Sequence, residues 1–279
     1  MASAPRITLN DGNSIPQLGL GVWQVPEDET AGAVRAAIEA GYRMIDTAEG
    51  YHNEEGVGRG IRESGVPREE LFITSKLRNG GHARDAALKS FDETMKKLGL
   101  EQLDLFLIHW PVPEQDKYVE AFKTMVELRD QGRIRSVGVS NFNQDHLERV
   151  IGETGVTPVV DQIELHPRYQ QRDKRAFLRK HNIALQSYSP LGSGSMLKDP
   201  VIAGIAKKHG KTPAQVMIRW QLDDGIILMP KSTHPDRIRA NFDVFDFALD
   251  PADRRKIEGL DDPKGGKTGD DPATNNTIW

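Results

Sequence analysis

The chain has 279 residues, 37% of them hydrophobic and 28% charged, with a formal net charge of -4; that length suits two small domains or one large α/β domain, and the acidic balance excludes the basic face of a nucleic-acid-binding protein. It has no cysteine, which excludes a disulfide framework, a thiolate zinc site and a cysteine nucleophile. The opening M-A-S-A-P-R lacks an apolar signal core and no run is long enough to cross a bilayer, so a cytoplasmic protein is expected.

Residues 7–10 and 14–18 flank Asp11-Gly12 and read as a hairpin, since Asp-Gly suits the positive φ angles of a tight reverse turn. Gly19-Leu20-Gly21-Val22-Trp23 reads as a short strand. Its G-x-G has no third glycine opening a helix, so it is no dinucleotide fingerprint. Strand-like and helical patterns then alternate. Helical spacing over 29–40 (Ala33, Val34, Ala37, Ile38) stops at Gly41. Strand 42–45 is followed by helix 54–62, strand 71–74 by helix 83–98, and the apolar strand 103–108 by helix 117–130. Strand 136–139 precedes helix 144–151, strand 159–163 precedes helix 172–181, and strand 183–187 precedes two helices, 202–209 and 213–223. Strand 226–229, a helical start at 237–242 and a last helix at 250–259 complete the series.

Counted from Gly19, eight strands are each followed by helix. That order implies parallel neighbours with right-handed crossovers, and eight of them imply a closed (β/α)8 TIM barrel with the N-terminal hairpin closing its bottom. The rival is an open doubly wound sheet, but no strand here leads into a phosphate-binding glycine fingerprint. No domain boundary is visible. Residues 1–279 read as one domain, with the Gly/Pro/Asp-rich stretch 261–279 as a tail.

In such a barrel, chemistry sits where strands end and loops begin. The strand ends offer Asp46 with Tyr51 just after it, Lys76, His109-Trp110, Ser140-Asn141, Gln162 with Glu164 and His166, Tyr188, and Lys231-Ser232. Asp46 alone would read as a turn former, Tyr51 as packing and His109 as a core histidine. A lysine at a barrel strand's end needs a carboxylate partner, and Asp46 on the neighbouring strand can supply it. A phenol beside that ammonium is expected to ionise more easily, against the opposite pull of burial. His109 could orient a carbonyl and share protons. Together Asp46, Tyr51, Lys76 and His109 form a proton-handling constellation for carbonyl reduction. Two rivals use the same residues. His109 and His166 with Asp46 or Glu164 could be a metal site, though no H-x-H or H-E-x-x-H pair supports one. Lys76 could be a Schiff-base lysine of a lyase. A second constellation, from Lys231 to Asn241, concentrates Lys231, Arg237 and Arg239 in an acidic chain beside Ser232 and a helix start. It reads as a solvated helix start or as an anion site. Leu191-Gly192-Ser193-Gly194-Ser195 could fold over a pyrophosphate or be a flexible loop.

These segments resemble the aldo-keto reductases. D-T-A-E-G-Y-H-N-E-E at 46–55, S-V-G-V-S-N-F at 136–142, Q-I-E-L-H-P at 162–167, S-Y-S-P-L-G at 187–192 and P-K-S-T-H-P-D-R-I at 230–238 carry the resemblance, in order, over nearly the whole chain. The length and the short loop after Pro111 resemble the bacterial branch that includes 2,5-diketo-D-gluconate reductases. The resemblance implies NADPH bound without a Rossmann fold, and reduction of small aldehydes or ketones, keto-sugar acids or 2-oxoaldehydes among them. It implies Asp46, Tyr51, Lys76 and His109 as the catalytic four, with Tyr51 the proton donor. Ser140, Asn141 and Gln162 would hold the nicotinamide carboxamide and Tyr188 would stack on its ring. Leu191 would belong to the loop over the pyrophosphate; Lys231, Ser232 and Arg237 would hold the 2′-phosphate, with Asn241 near the adenine. Trp23, Trp110 and Arg78 would line the substrate pocket, and the apolar tail end, Ile278-Trp279, would fold over its mouth as the family's tail does, or fray. No metal, membrane or nucleic-acid partner is expected, and a monomer is. An alternative within the same fold is a regulatory, non-catalytic NADPH-binding subunit.

Three positions depart from the family's pattern. Arg78 stands where a tryptophan is frequent, His52 replaces glycine in Y-G-N-E, and Ala240 replaces glutamate in R-I-x-E-N. Arg78 would bring a positive charge to the pocket rim and favour anionic substrates, or face solvent.

Overall fold

The structure, a computed structural model, describes residues 4–279. Strands β1 (Arg6–Thr8) and β2 (Ser14–Pro16) pair antiparallel with Ile7 opposite Ile15. The hairpin is as expected, but its turn is wider than a two-residue Asp-Gly turn. Only Gly12 in it takes a positive φ, +85°. Leu9 N–H donates to Asn13 O at 2.8 Å and Gly12 N–H to Leu9 O at 3.1 Å. The reason lies in the Asp11 side chain: Oδ1 accepts the Asn13 N–H at 3.0 Å and Oδ2 accepts the Ser136 hydroxyl at 2.7 Å, which suits a side-chain-built turn.

Eight parallel strands follow: β3 (Leu20–Gly21), β4 (Met44–Asp46), β5 (Phe72–Leu77), β6 (Leu103–Ile108), β7 (Ile134–Ser140), β8 (Val160–Glu164), β9 (Ala184–Tyr188) and β10 (Ile227–Leu228). They lie side by side in chain order. Parallel bridges Leu18–Leu228 and Gly21–Lys231 join the last strand to the first, with Gly19 N–H on Leu228 O and Leu228 N–H on Gln17 O, both at 3.0 Å. The sheet therefore closes into the expected barrel. Both faces of β6 are buried, as a strand between barrel core and outer helices requires.

The outer layer is α1 (Glu27–Ala40), α2 (Glu54–Glu63), α3 (Arg84–Leu98), α4 (Tyr118–Asp130), α5 (Gln144–Thr154), α6 (Arg172–Lys180), α7 (Pro200–His209), α8 (Pro213–Asp223), α9 (Pro235–Phe242) and α10 (Pro251–Glu258). Several stop on a left-handed glycine, Gly41, Gly99, Gly155 and Gly210 among them, which satisfies terminal carbonyls without a Cβ penalty. The hairpin plugs the N-terminal end of the barrel. Asn10 Nδ2 donates to Pro158 O at 3.0 Å and Asn182 O at 3.1 Å, and Leu9 and Ile15 pack with Met44, Phe72, Leu105, Val160 and Ile227.

One boundary matters for function. Strand β5 runs past the apolar 71–74 stretch to Leu77, so Lys76 lies inside the strand rather than beyond it. Polar residues continue the strand because each finds a buried partner: Ser75 Oγ donates to Glu54 at 2.7 Å and Lys76 Nζ to Asp46 at 2.7 Å.

Candidate active site

Strand β4 ends on Asp46, the next strand carries Lys76, and β6 leads into His109. A 3-10 turn, Glu49–Tyr51, brings the phenol back over them. Lys76 is fully buried. Its Nζ donates to Asp46 Oδ2 at 2.7 Å, Thr47 O at 2.9 Å and Tyr51 Oη at 3.3 Å. These three acceptors match an ammonium's three donors. Removing one partner of such a buried pair typically costs about 3–5 kcal/mol, because the other charge is left uncompensated. The edge of His109 lies against Tyr51, with ring centroids 5.6 Å apart.

Burial dominates the proton affinities here. It pushes the Lys76 ammonium below its ordinary value, and Asp46 restores part of that loss. It pushes Tyr51 well above the ordinary phenol value, with Asp46 adding to the rise. The easing expected from Lys76 is thus outweighed, and Tyr51 holds its proton firmly. His109 falls well below the ordinary imidazole value through burial and then the Lys76 charge. At neutral pH the site therefore presents a loaded phenol and an uncharged imidazole.

The residues expected around a nicotinamide gather beside this cluster. Asn141, at φ +62°, donates to His109 O at 3.0 Å and to Ser140 Oγ at 3.1 Å, and accepts the Tyr188 hydroxyl at 2.8 Å. Ser140 Oγ donates to Gln162 O at 2.8 Å. The Gln162 amide nitrogen is already engaged, to Asp46 Oδ1 at 2.9 Å and Gln186 Oε1 at 3.1 Å. It holds the second oxygen of the carboxylate that pairs with Lys76.

The second constellation lies on the segment after β10. Lys231 and Arg237 are exposed, and neither has an acidic partner among the described residues, whereas Arg239 pairs with Asp236 at 2.5 Å. Ser232 is buried, and its Oγ accepts the His234 N–H at 3.1 Å. Asn241 is buried on α9. Leu191, half-buried, leads into the turns of Gly192–Lys198.

Around the mouth, Trp23 is 50% exposed and Trp110 is half-buried. Arg78 has an acid beside it: its Nε lies 3.2 Å from Glu49 Oε1 as a half-exposed ion pair without a hydrogen bond, and Glu49 also takes the Ser90 hydroxyl. His166 lies 3.2 Å from Glu164 rather than beside His109. Among the described residues, no group of three or more His, Cys, Asp or Glu could hold a metal ion.

The expectations did not include Asn53 in the site. Asn53 accepts the Thr47 hydroxyl at 2.9 Å and donates to Val22 O at 2.8 Å and Val25 O at 3.1 Å, tying the Trp23 loop to the strand that carries Asp46. Its place in Y-H-N-E-E was a signal that could have found it. Trp279 stands edge-on to His109, ring centroids 5.0 Å apart. Of the two courses open to the apolar Ile278-Trp279 end, folding over the mouth or fraying, the structure shows the first.

A model of the Aldo/keto reductase family matches residues 16–262. An aldo-keto reductase of Mycolicibacterium smegmatis is 56% identical over 273 residues, 98% of each chain. Methylglyoxal reductase DkgA of Escherichia coli is 51% identical over 274 residues, again 98% of each chain. Among solved structures, a variant of Gox0644 in complex with NADPH superposes with a TM-score of 0.94 at 49% identity, covering 98% of this chain and 99% of that one.

Proposed function

Because the chain belongs to the aldo/keto reductase family, we propose that it reduces small aldehydes and ketones to alcohols with NADPH, Tyr51 giving the proton. The observation that carries this is the buried Lys76 ammonium, bonded at once to Asp46 and to the Tyr51 hydroxyl. NADPH, when bound, supplies the hydride. The residues fit that cofactor. Lys231 and Arg237 are exposed cations without acidic partners among the described residues, beside the Ser232 hydroxyl, which suits a 2′-phosphate. Ser140, Asn141 and Gln162 lie together where a carboxamide would sit; their donors are engaged within the protein, which would leave Gln162 Oε1 to accept the carboxamide N–H.

The chain's own part is to place and discharge one proton. As negative charge grows on the carbonyl oxygen, the Tyr51 hydroxyl delivers its proton there. The Lys76 ammonium, at 3.3 Å, stabilises the phenolate left behind. Asp46 does not touch the substrate; with Gln162 on its other oxygen, it keeps Lys76 charged and in place. Neutral His109 can donate an N–H to the same carbonyl oxygen, a fixed dipole that requires no proton exchange. A Schiff-base role would need the lysine amine open to a carbonyl carbon, but Lys76 is fully buried.

Arg78 bears on the substrate. A substrate carboxylate would have to compete with Glu49 for it. That favours uncharged 2-oxoaldehydes of the methylglyoxal kind over keto-sugar acids, in line with the named activity of the relative from Escherichia coli.

Tyr51→Phe tests the reading. Turnover of methylglyoxal should fall by about 10²–10⁴-fold, the usual worth of a general acid, while NADPH affinity, read by fluorescence quenching, stays near the parent's. Near-normal turnover in the variant would sink the proton-donor assignment.

A further inference from the structure

We propose that Glu164 anchors the C-terminal tail across the barrel mouth and so sets how the tail's end stands against His109, as a positioning residue for the reaction proposed above. Glu164 is the last residue of β8 and is 3% exposed. A carboxylate at that depth needs donors, and the tail supplies most of them. Thr268 gives its N–H at 2.8 Å and its hydroxyl at 2.6 Å to Oε1, and Gly269 gives its N–H at 2.9 Å to Oε2. His166 Nε2 completes the set, 3.2 Å from Oε1. Burial alone would push this carboxyl up; the bonds from His166, Thr268 and Gly269 outweigh it and bring it down to about 2.

The anchor is central in the tail's path. Before it, Asp261 meets Arg172 at 2.9 Å and Asp262 meets Arg168 at 3.1 Å; both arginines are half-exposed, and such pairs contribute little. Beyond it, Asn79 Nδ2 donates to Thr277 O at 2.7 Å, and Glu114 N–H to Asn276 Oδ1 at 2.9 Å. The path ends with Trp279 edge-on to His109 and against the backbone of Gly50, next to Tyr51. The anchor also touches the cofactor side. A Cβ on Gly269 would lie 3.1 Å from Glu164 Oε2 and 3.4 Å from the Tyr188 hydroxyl, the group that bonds Asn141. A side chain there would press on both groups, so glycine suits the passage between them.

The experiment is Glu164→Gln and Thr268→Val, singly and together, in the full chain. Glutamine sets an NH2 against the donors of Thr268 or Gly269 whichever way it turns, so the anchor breaks with little change in volume. Expected is a rise of about tenfold in KM for the carbonyl substrate, with kcat changing less than about threefold. The dissociation constant of NADPH should stay within about twofold, and protease cleavage in the tail should speed up about tenfold. The double variant should cost less than the sum of the singles. An unchanged KM with a tail as protease-resistant as the parent's overturns the anchor. If Glu164→Gln fails to fold, Thr268→Val carries the same readouts. If the parent reduces no carbonyl, the functional reading fails, and the proteolysis still decides the anchor.

Discussion

His52, next to the proposed proton donor, sits in the left-handed region at φ +56° and ψ +32°. The family's usual residue there is glycine, and the backbone angle explains why. A side chain in this region costs about 1–2 kcal/mol, while glycine gives back about 0.4–1 kcal/mol by loosening the unfolded chain. Relief of strain wins, so His52→Gly should stabilise the protein by roughly 0.5–1 kcal/mol. A thermal melt checks the sign: a lower Tm would mean that the exposed imidazole makes contacts worth more than the strain. Other residues show what a sequence can and cannot announce. Asp46, Lys76 and His109 were legible because each stands at or next to a strand end, where a barrel puts its chemistry, and Tyr51 because it lies in the short loop after one. The pairing of Arg78 with Glu49 was not, since it joins two loops by side-chain reach. The Gln162 bond to Asp46 was not legible either. It crosses the barrel interior between strands that are not neighbours, and only closure brings them together.

At the scale of an element, α2 poses a puzzle that packing resolves. Its E-E-G-V-G-R-G-I start holds three glycines, each costing about 1 kcal/mol of helix propensity. The helix is wedged between its neighbours. A Cβ on Gly56 would lie 2.8 Å from Glu27 O of α1, one on Gly60 2.7 Å from Val34 Cβ, and one on Gly58 would land on the Leu98 carbonyl of α3. Gly58→Ala therefore sets a propensity gain of about 1 kcal/mol against backbone that cannot step aside, an overpacking cost of about 1–3 kcal/mol or more. The clash wins and Tm should fall. Gly152→Ala in α5, with nothing within 4 Å of the new Cβ, isolates propensity and should raise Tm; a gain at both positions would show that α2 has room to shift. Where sequence and structure agree to the residue, as for β6 and α8, apolar pattern and flanking turn or cap residues coincide. The β5 boundary slipped because its last residues are polar, and their partners, Glu54 and Asp46, come from elsewhere in the chain.

The barrel as a whole closes over titratable groups, and that sets its response to pH. His82, in an N-G-G-H stretch not singled out in the sequence, is fully buried with no partner for either ring nitrogen. Burial pushes its pKa from 6.5 down to about 4. On unfolding the ring returns to its ordinary value and takes up a proton that the fold does not. Stability is therefore lost as pH falls from about 6.5 to about 4, reaching about 2 kcal/mol at pH 5. Asp161 acts in the opposite sense. Burial pushes it up to about 7, so the fold keeps a proton that the unfolded chain releases, and stability is lost as pH rises from about 3.8 to about 7. The parent's profile sums these with its other shifted groups, His109 and Glu164 among them, and the difference between parent and His82→Leu isolates the first. The leucine removes both unpartnered nitrogens and the acid-side loss with them. Melts at pH 7.5 and pH 5 should show Tm rising more at pH 5, by about 4 °C for the 2 kcal/mol difference. An equal shift at both pH values, or an imidazole that titrates near 6.5 by NMR in the parent, would mean that water reaches His82 and that the fold tolerates its charge.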